Sequence, residues 1–225
     1  MITISKEDYV KAVLEAESEG AHVISATLAH RLAVSPPAVT MALRRLKRDG
    51  LVAVRADGRV ELTAAGRKVA LRTMMRHHLI ERMLAEIFGM EWYRVHDEAE
   101  RLEHAVSAEF EARLAEKLGP AGTCPHGNPV VPERSEARRR RGLCLLSEAE
   151  PGKSYQVSSM YERDSALLRF LDERGIRPGA KLQVVERNYD QTISLVADRR
   201  KVSVGGPAAE KVWVAPVAVG RSLKS

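Results

Sequence analysis

SPPAVTMALRRLKRDGLVAVRADGRVELT, residues 35–63, is the stretch from which the fold can be worked outward. Ser35 before Pro36 has the order of a helix N-cap followed by a first-turn proline. Val39, Leu43 and Leu46 recur at helical spacing as an inner face, and Gly50 is the stop. The opposite face is polar and basic, with Ser35, Thr40, Arg44, Arg45, Lys47 and Arg48. Two short β-like runs follow, LVAVR and VELT, joined by Ala56, Asp57 and Gly58 as a hairpin turn. Upstream, Tyr9, Val10, Val13 and Leu14 form a helical stripe within residues 6–18 that Gly20 ends. ISATLAHRLAV, residues 24–34, predicts a second short helix with Ser25 as N-cap and Leu28, Ala29 and Leu32 facing inward.

Helix, helix, turn, helix, hairpin is the order of a winged helix-turn-helix, which lays the second helix of its motif in the DNA major groove. A generic small α/β domain offers the same order. The basic face over an aliphatic one argues for the DNA-binding alternative. On that reading Ser35, Pro37, Ala38, Thr40 and Met41, at the exposed start of the recognition helix, lie nearest base edges. Arg45, Arg55 and Arg59 then contact mainly phosphate.

From Thr63 to Leu118 the pattern is almost purely helical. It predicts one long helix capped by Thr63 and running through Arg82 to Phe88, a break at Gly89, and a further helix from Val95 to Leu118. Long amphipathic helices after a DNA-binding head suit a dimer interface. GPAGTCPHGNPVVPERSEARRRRG, residues 119–142, reads as a linker, with Arg138 to Arg141 more naturally solvated than bound to DNA. From Lys153 to Pro216 short β-like runs dominate, with one helix, DSALLRFLDERG, among them. They predict a small β-barrel. The expectation is a multi-domain α+β chain: a winged helix-turn-helix over 1–70, an all-α domain over 71–120, a linker over 121–151 and the barrel over 152–217.

Composition narrows the class. The chain has 225 residues, 44% of them hydrophobic, enough for two or three small cores. Its formal charge of +6 tilts towards polyanions without deciding the matter. The most apolar run, around Val212 to Val219, is interrupted by Pro216 and is too short to span a bilayer, and the charged N-terminus does not resemble a signal peptide. These features predict a cytoplasmic protein with no membrane partner. Cys124 and Cys144 do not resemble a disulfide framework and read as unpaired thiols.

The chemistry is concentrated in VHDEAERLEH, residues 95–104. On a helix, His96, Glu100, Glu103 and His104 share one face. The preceding helix adds His77 and Glu81, four residues apart. Buried like charges are costly unless compensated, and a divalent cation would remove both the repulsion and the desolvation problem. Spacing alone leaves a second reading open, a solvated charged face with Glu–Arg pairs made by Arg82 and Arg101.

MRHHLIERMLAEIFGMEWYRVHDEAERLEHAVS, residues 75–107, closely resembles the metal-sensing and dimerisation segment of the DtxR/MntR family of metal-dependent repressors. EDYVKAVLEAESEG resembles that family's first helix, VSPPAVTMALRRLKRDGLV its recognition helix, and the tail its SH3-like, FeoA-type domain. The resemblance implies a homodimer on palindromic double-stranded operator DNA. It also implies a primary metal position at Asp8, Glu100, Glu103 and His104 and a second at His77, Glu81 and His96. Iron-responsive relatives carry methionine and cysteine where this chain has Asp8 and Glu100, whereas manganese-responsive relatives carry carboxylates. Oxygen ligands independently suit Mn(II). The implied function is a manganese-dependent repressor of metal-uptake genes with Mn(II) as co-repressor. The alternative is an iron-responsive regulator using Fe(II).

Some positions depart from the family pattern. Lys11 stands where some manganese-responsive relatives have glutamate, which argues against a closely spaced two-metal centre. Glu162 is the nearest carboxylate in the tail, with a surface role expected. His22, His30, His78 and His126 match no ligand position. A metal-dependent hydrolase, the rival from another class, would need a nucleophile, a substrate cradle or an HExxH pattern, none of which is apparent. A metal-independent DNA-binding protein whose tail binds a partner is a further alternative.

Overall fold

The computed structural model describes residues 4–119 and 122–217. The chain divides into two compact units. The first is Met1–Ile80, Ala99–Gly122 and Pro129–Ser135; the second is Glu81–Glu98, Thr123–Asn128 and Glu136–Ser225.

The first unit opens with α1 (Ile4–Ser18), α2 (Ser25–Arg31) and α3 (Pro36–Arg48), then the hairpin of β1 (Val52–Val54) and β2 (Val60–Leu62), then α4 (Ala64–Arg82). Val10, Val13 and Leu14 of α1, Leu28 of α2 and Val39, Leu43 and Leu46 of α3 are buried in one core with Val52 and Val60. Ser35 caps α3 as expected, its hydroxyl accepting from the Ala38 amide at 3.4 Å. Thr63 likewise accepts from Gly66 N at 3.0 Å and donates to Gly50 O, tying the start of α4 to the end of α3. Ser25 does not cap α2. The preceding residue, Ile24, occupies that position without a side-chain bond, and Ser25 is the first helical residue. Burial of Leu28 and Ala29 holds this short helix instead.

The long helices are more broken than their periodicity predicts. α4 stops at Arg82 and a π-helical turn, Met83–Ile87, carries the chain to Gly89, which turns at φ +64. The expected helix from Val95 to Leu118 is two helices, α5 (Val95–Leu102) and α6 (Ala108–Leu118). The cause is Ser107, whose hydroxyl accepts from Phe110 N at 3.2 Å and starts α6 afresh. Glu103 and His104 therefore stand on the turn between two helices.

In the second unit α7 (Ser135–Arg140) precedes β3 (Cys144–Leu145), β4 (Ser154–Met160), α8 (Ser165–Asp172), β5 (Lys181–Arg187), β6 (Ile193–Ala197), β7 (Arg200–Val204), α9 (Gly206–Ala209) and β8 (Val212–Pro216). The strands form one six-stranded antiparallel sheet in the order β3-β8-β4-β5-β6-β7. Its core gathers Val157, Leu182, Leu195 and Val214 with Leu168 and Leu171 of α8. Residues 122–151, within the expected linker, carry regular elements. They contain α7, and β3 pairs with β8 through Cys144 and Val214. Arg138, expected in solvent, turns inward instead. It donates to Ser159 Oγ at 2.7 Å and to Asn128 Oδ1 at 3.2 Å, with its guanidinium 5.4 Å from the Trp213 ring centre. Among the described residues no helix is long and apolar enough to cross a membrane.

Candidate metal centre

Among the described residues, potential ligands gather in each of the two units. In the first, α1 presents Asp8 and, one turn later, Lys11. The turn after α5 presents Glu103 and His104. His104 Nε2 lies 2.6 Å from Asp8 Oδ1 and 3.4 Å from Glu103 Oε1, and its Nδ1 lies 3.3 Å from Glu7 Oε2. One ligand atom each of Asp8, Glu103 and His104 falls within 4.8 Å of the others, and the same holds for His77, Glu100 and Glu103. His77 Nδ1 meets Glu103 Oε2 at 2.7 Å, with both side chains buried. Arg76 backs the group, reaching Glu7 Oε2 at 3.3 Å, the Glu103 carbonyl at 3.2 Å and Glu111 Oε2 at 3.0 Å.

Electrostatics differ sharply within this group. Burial pushes the Asp8 carboxyl above its ordinary range, against the pull of His104 and Lys11. Burial also works to raise Glu103, but the His77 hydrogen bond and the Lys11 charge outweigh it and hold that carboxyl below the usual range. For Lys11 burial opposes the ammonium, yet Glu103, Glu100 and Glu15 together hold it above the ordinary lysine range. The carboxylates of Asp8, Glu100 and Glu103 and the imidazoles of His77 and His104 make a donor set that fits a divalent cation.

The second cluster contains residues for which the sequence suggests no ligand role. Glu81, expected as a ligand, is fully buried, and His96 Nδ1 lies 3.0 Å from its Oε1. His126 Nδ1 stands 3.5 Å from the same oxygen and 3.7 Å from Glu162 Oε2. Cys124 Sγ is 3.4 Å from Glu162 Oε2 and 3.7 Å from His126 Nδ1. Ligand atoms of Glu81, Cys124 and Glu162 fall within 4.8 Å of one another. Glu162 is thus not a surface residue; its side chain is only 13% exposed. His126 Nε2 faces the Trp92 carbonyl at 2.9 Å, and a carbonyl can only accept. The N–H therefore sits on Nε2, and Nδ1 is turned towards the carboxylates with its lone pair when the ring is neutral. Burial opposes charging of His126, but Glu81 and Glu162 outweigh it and raise its basicity. Burial pushes the Cys124 thiol well above its ordinary range, with Glu162 and Glu81 adding to the effect.

A tight turn over residues 124–128 positions these donors. The Cys124 amide donates to Asn128 O and the Gly127 amide to Cys124 O, both at 2.9 Å. Gly127 has φ +83, and a Cβ there would stand 2.1 Å from Ser158 O, where β4 is irregular in register. Only glycine fits. The Met160 amide donates to His126 O at 3.1 Å, and Asn128 Nδ2 to Met160 O at 2.9 Å and Glu162 Oε2 at 2.6 Å. The available signal was Cys124 and His126 two residues apart before a glycine. It is weak alone, since it gains meaning only against β4.

On the outward side of α3, Ser35, Pro37, Ala38, Thr40 and Met41 are all exposed, Met41 at 53%. Thr40 Oγ1 donates to Pro36 O at 3.1 Å and Arg45 Nε to Met41 O at 3.4 Å. On the hairpin, Arg55 is engaged by Glu61 and Arg59 by Asp57, each at 2.6 Å.

These features can be set beside known proteins. The iron-dependent repressor IdeR of Mycobacterium leprae is 31% identical over 224 residues, covering 94% of this chain and 96% of that protein. The chain belongs to the DtxR family of metal-dependent repressors. A second family member, the diphtheria toxin repressor of Corynebacterium glutamicum, is 43% identical over 188 residues, 80% of this chain and 82% of its own length. Models of three domain families match in order. They are the iron-dependent repressor N-terminal DNA-binding domain over residues 1–60, its metal-binding and dimerisation domain over 63–132, and a FeoA domain over 144–216. A solved manganese-dependent transcriptional repressor in complex with manganese aligns with a TM-score of 0.83 and 33% identity, over 94% of this chain and all of that one. This DtxR-family member is accordingly a metal-dependent DNA-binding transcriptional repressor, not an enzyme, with a helix-turn-helix head, a helical dimerisation domain and a FeoA β domain. Its relatives divide between iron and manganese.

Proposed function

We propose that the chain is a manganese-responsive repressor of metal-uptake genes, acting as a homodimer on palindromic double-stranded operator DNA with Mn(II) as co-repressor. The observation that carries this reading is the donor set of the first cluster. Asp8, Glu100 and Glu103 offer oxygen, His104 offers nitrogen, and none of the four offers sulfur. Oxygen-rich sites suit Mn(II), whereas thiolate and thioether donors favour softer ions. We assign Asp8, Glu100, Glu103 and His104 as primary ligands.

The residues expected to form the second site divide between two roles. We assign Glu81, Cys124, His126 and Glu162 to a second centre, with His96 orienting Glu81 and His77 orienting Glu103. Cys124 is the one observation that favours the alternative reading, an Fe(II)-responsive regulator of the same fold.

A bound divalent ion supplies positive charge that neutralises the clustered carboxylates. The protein turns that into DNA affinity through helix connections. Asp8 stands on α1, whose Val10, Val13 and Leu14 share a core with the inner face of α3. Glu103 and His104 stand on the turn after α5. Holding Asp8 to that turn therefore holds α3 to the dimerisation helices. In a two-fold dimer this fixes the separation of two recognition helices, which a palindromic site must match. The ion shifts this equilibrium only by its differential affinity for the two arrangements.

The test is operator binding by chelated protein titrated with Mn(II), Fe(II), Co(II) and Zn(II). Weak binding after chelation and recovery at lowest free concentration with Mn(II) is the expected result. Recovery at lower free Fe(II) selects the iron reading, and equal affinity with and without metal rejects the sensor altogether. On the DNA side, Arg55→Ala should weaken binding evenly across operator sequences and lower the salt slope by about one unit. A salt series measured on two operators checks this. The contact would require Arg55 to exchange Glu61 for phosphate, so an unchanged slope would show that the hairpin stays off the DNA.

A further inference from the structure

Lys11 is the member of the first cluster to which no ligand role applies. Its ammonium donates to Glu103 Oε1 at 2.7 Å, Glu103 Oε2 at 3.0 Å and Glu100 Oε1 at 2.8 Å. Three N–H groups thus meet three acceptors. The residue is only 3% exposed and Glu103 is fully buried. Surface ion pairs contribute little, but a buried cation cannot return to water cheaply and is held by the carboxylates that surround it. The oxygens it holds belong to two of the residues assigned above as primary ligands.

We propose that Lys11 is a tethered cation of the primary centre, which competes with the incoming ion for Glu100 and Glu103 and so sets the metal concentration at which the repressor is activated. The inference rests on the ligand assignment made under the proposed function. Its basis is charge and position. Asp8, Glu100 and Glu103 carry three formal negative charges and Lys11 returns one, so a divalent ion meets a site of net −2 instead of −3. The ammonium also stands at hydrogen-bonding distance from the oxygens the ion needs, so it must yield at least part of its hold on them. A cation removed from that position should raise affinity for a divalent ion by roughly tenfold or more.

Calorimetric titration of Mn(II) into chelated full-length protein tests this with Lys11→Gln, Lys11→Met and Lys11→Arg, beside Glu103→Gln to identify the binding event that belongs to this cluster. Lys11→Gln and Lys11→Met are expected to bind Mn(II) in that event about tenfold or more tightly than the wild type, and Lys11→Arg to stay near it. The thermal midpoint of chelated protein should fall in the two neutral variants, and the rise on adding Mn(II) should grow. A neutral variant that folds only after Mn(II) is added supports the proposal as well. A purely structural lysine predicts lower stability with unchanged or weaker Mn(II) binding, and that result would overturn it. Equal tightening in Lys11→Arg would also overturn it, because charge would then not be the cause. If Glu103→Gln binds Mn(II) as the wild type does, the ligand assignment itself falls, a failure distinct from that of Lys11.

Discussion

His104→Ala is expected to abolish the response of operator binding to Mn(II) while leaving a folded dimer. The ring stands 2.6 Å from Asp8 on one side and 3.4 Å from Glu103 on the other, so it joins α1 to the turn after α5. Without it the proposed primary centre loses a nitrogen ligand and its bridge. The metal-induced gain in operator affinity, on the order of 5- to 150-fold for couplings of this kind, should vanish. Operator affinity with and without Mn(II) measures it, and thermal unfolding and size measurements check the fold and the dimer. A normal response would show that the primary centre is misplaced. Glu103→Ala should lose the same response by a less selective route. It removes the buried partner of both Lys11 and His77, and breaking a buried ion pair costs about 3–5 kcal/mol. Its loss of function would therefore be mixed with loss of stability.

The second large effect concerns the choice of ion. Asp8→Met combined with Glu100→Cys should shift activation away from Mn(II) and towards Fe(II), Co(II) or Ni(II), because both changes replace oxygen with sulfur. The joint effect should exceed the sum of the single changes, since both side chains would meet one ion. Glu100 also accepts from Lys11, so its loss alters the competing cation as well as the ligand set. For that reason the ranking of metals, more than any single affinity, is the informative quantity. Operator affinity at matched free-metal concentrations for the wild type, both single variants and the double variant provides it. An unchanged ranking in the double variant would move the origin of selectivity to Glu81, Cys124, His126 and Glu162.

Much of the fold was legible in residues 35–63. The Ser35 cap, the inner face of Val39, Leu43 and Leu46 and the Asp57-Gly58 turn are local signals, and local signals survive folding. Ser25 failed as a cap because α2 is short enough for burial of Leu28 to set its position. Periodicity ran straight through Ser107, where a single hydroxyl reaching Phe110 N splits one helix into two. The first cluster was readable because Glu100, Glu103 and His104 lie close in sequence. The second was only half readable. Glu81 and His96 share the helical pattern, but Cys124, His126 and Glu162 meet through a turn packed on a strand, and no period in the sequence encodes that meeting. Lys11 was visible as a departure from the family pattern. Its three hydrogen bonds depend on a juxtaposition of α1 with α5 that spacing does not contain.

The glycine turn at residues 124–128 bears on how this sensor could be shortened or transplanted. Its donors lean on the backbone of β4: Gly127 lies against Ser158 O, His126 O accepts from Met160 N, and Glu162 follows two residues later. A chain ending before Ser154 would keep the letters CPHGN and lose the wall that shapes them. The pentapeptide is consequently not a portable module, and grafting it onto another helical scaffold would carry the thiol and the imidazole without their geometry. For this protein, the donors on the 124–128 turn and the β domain form one heritable unit, so that deleting the domain would also delete the proposed second centre, which lies mostly outside it in sequence.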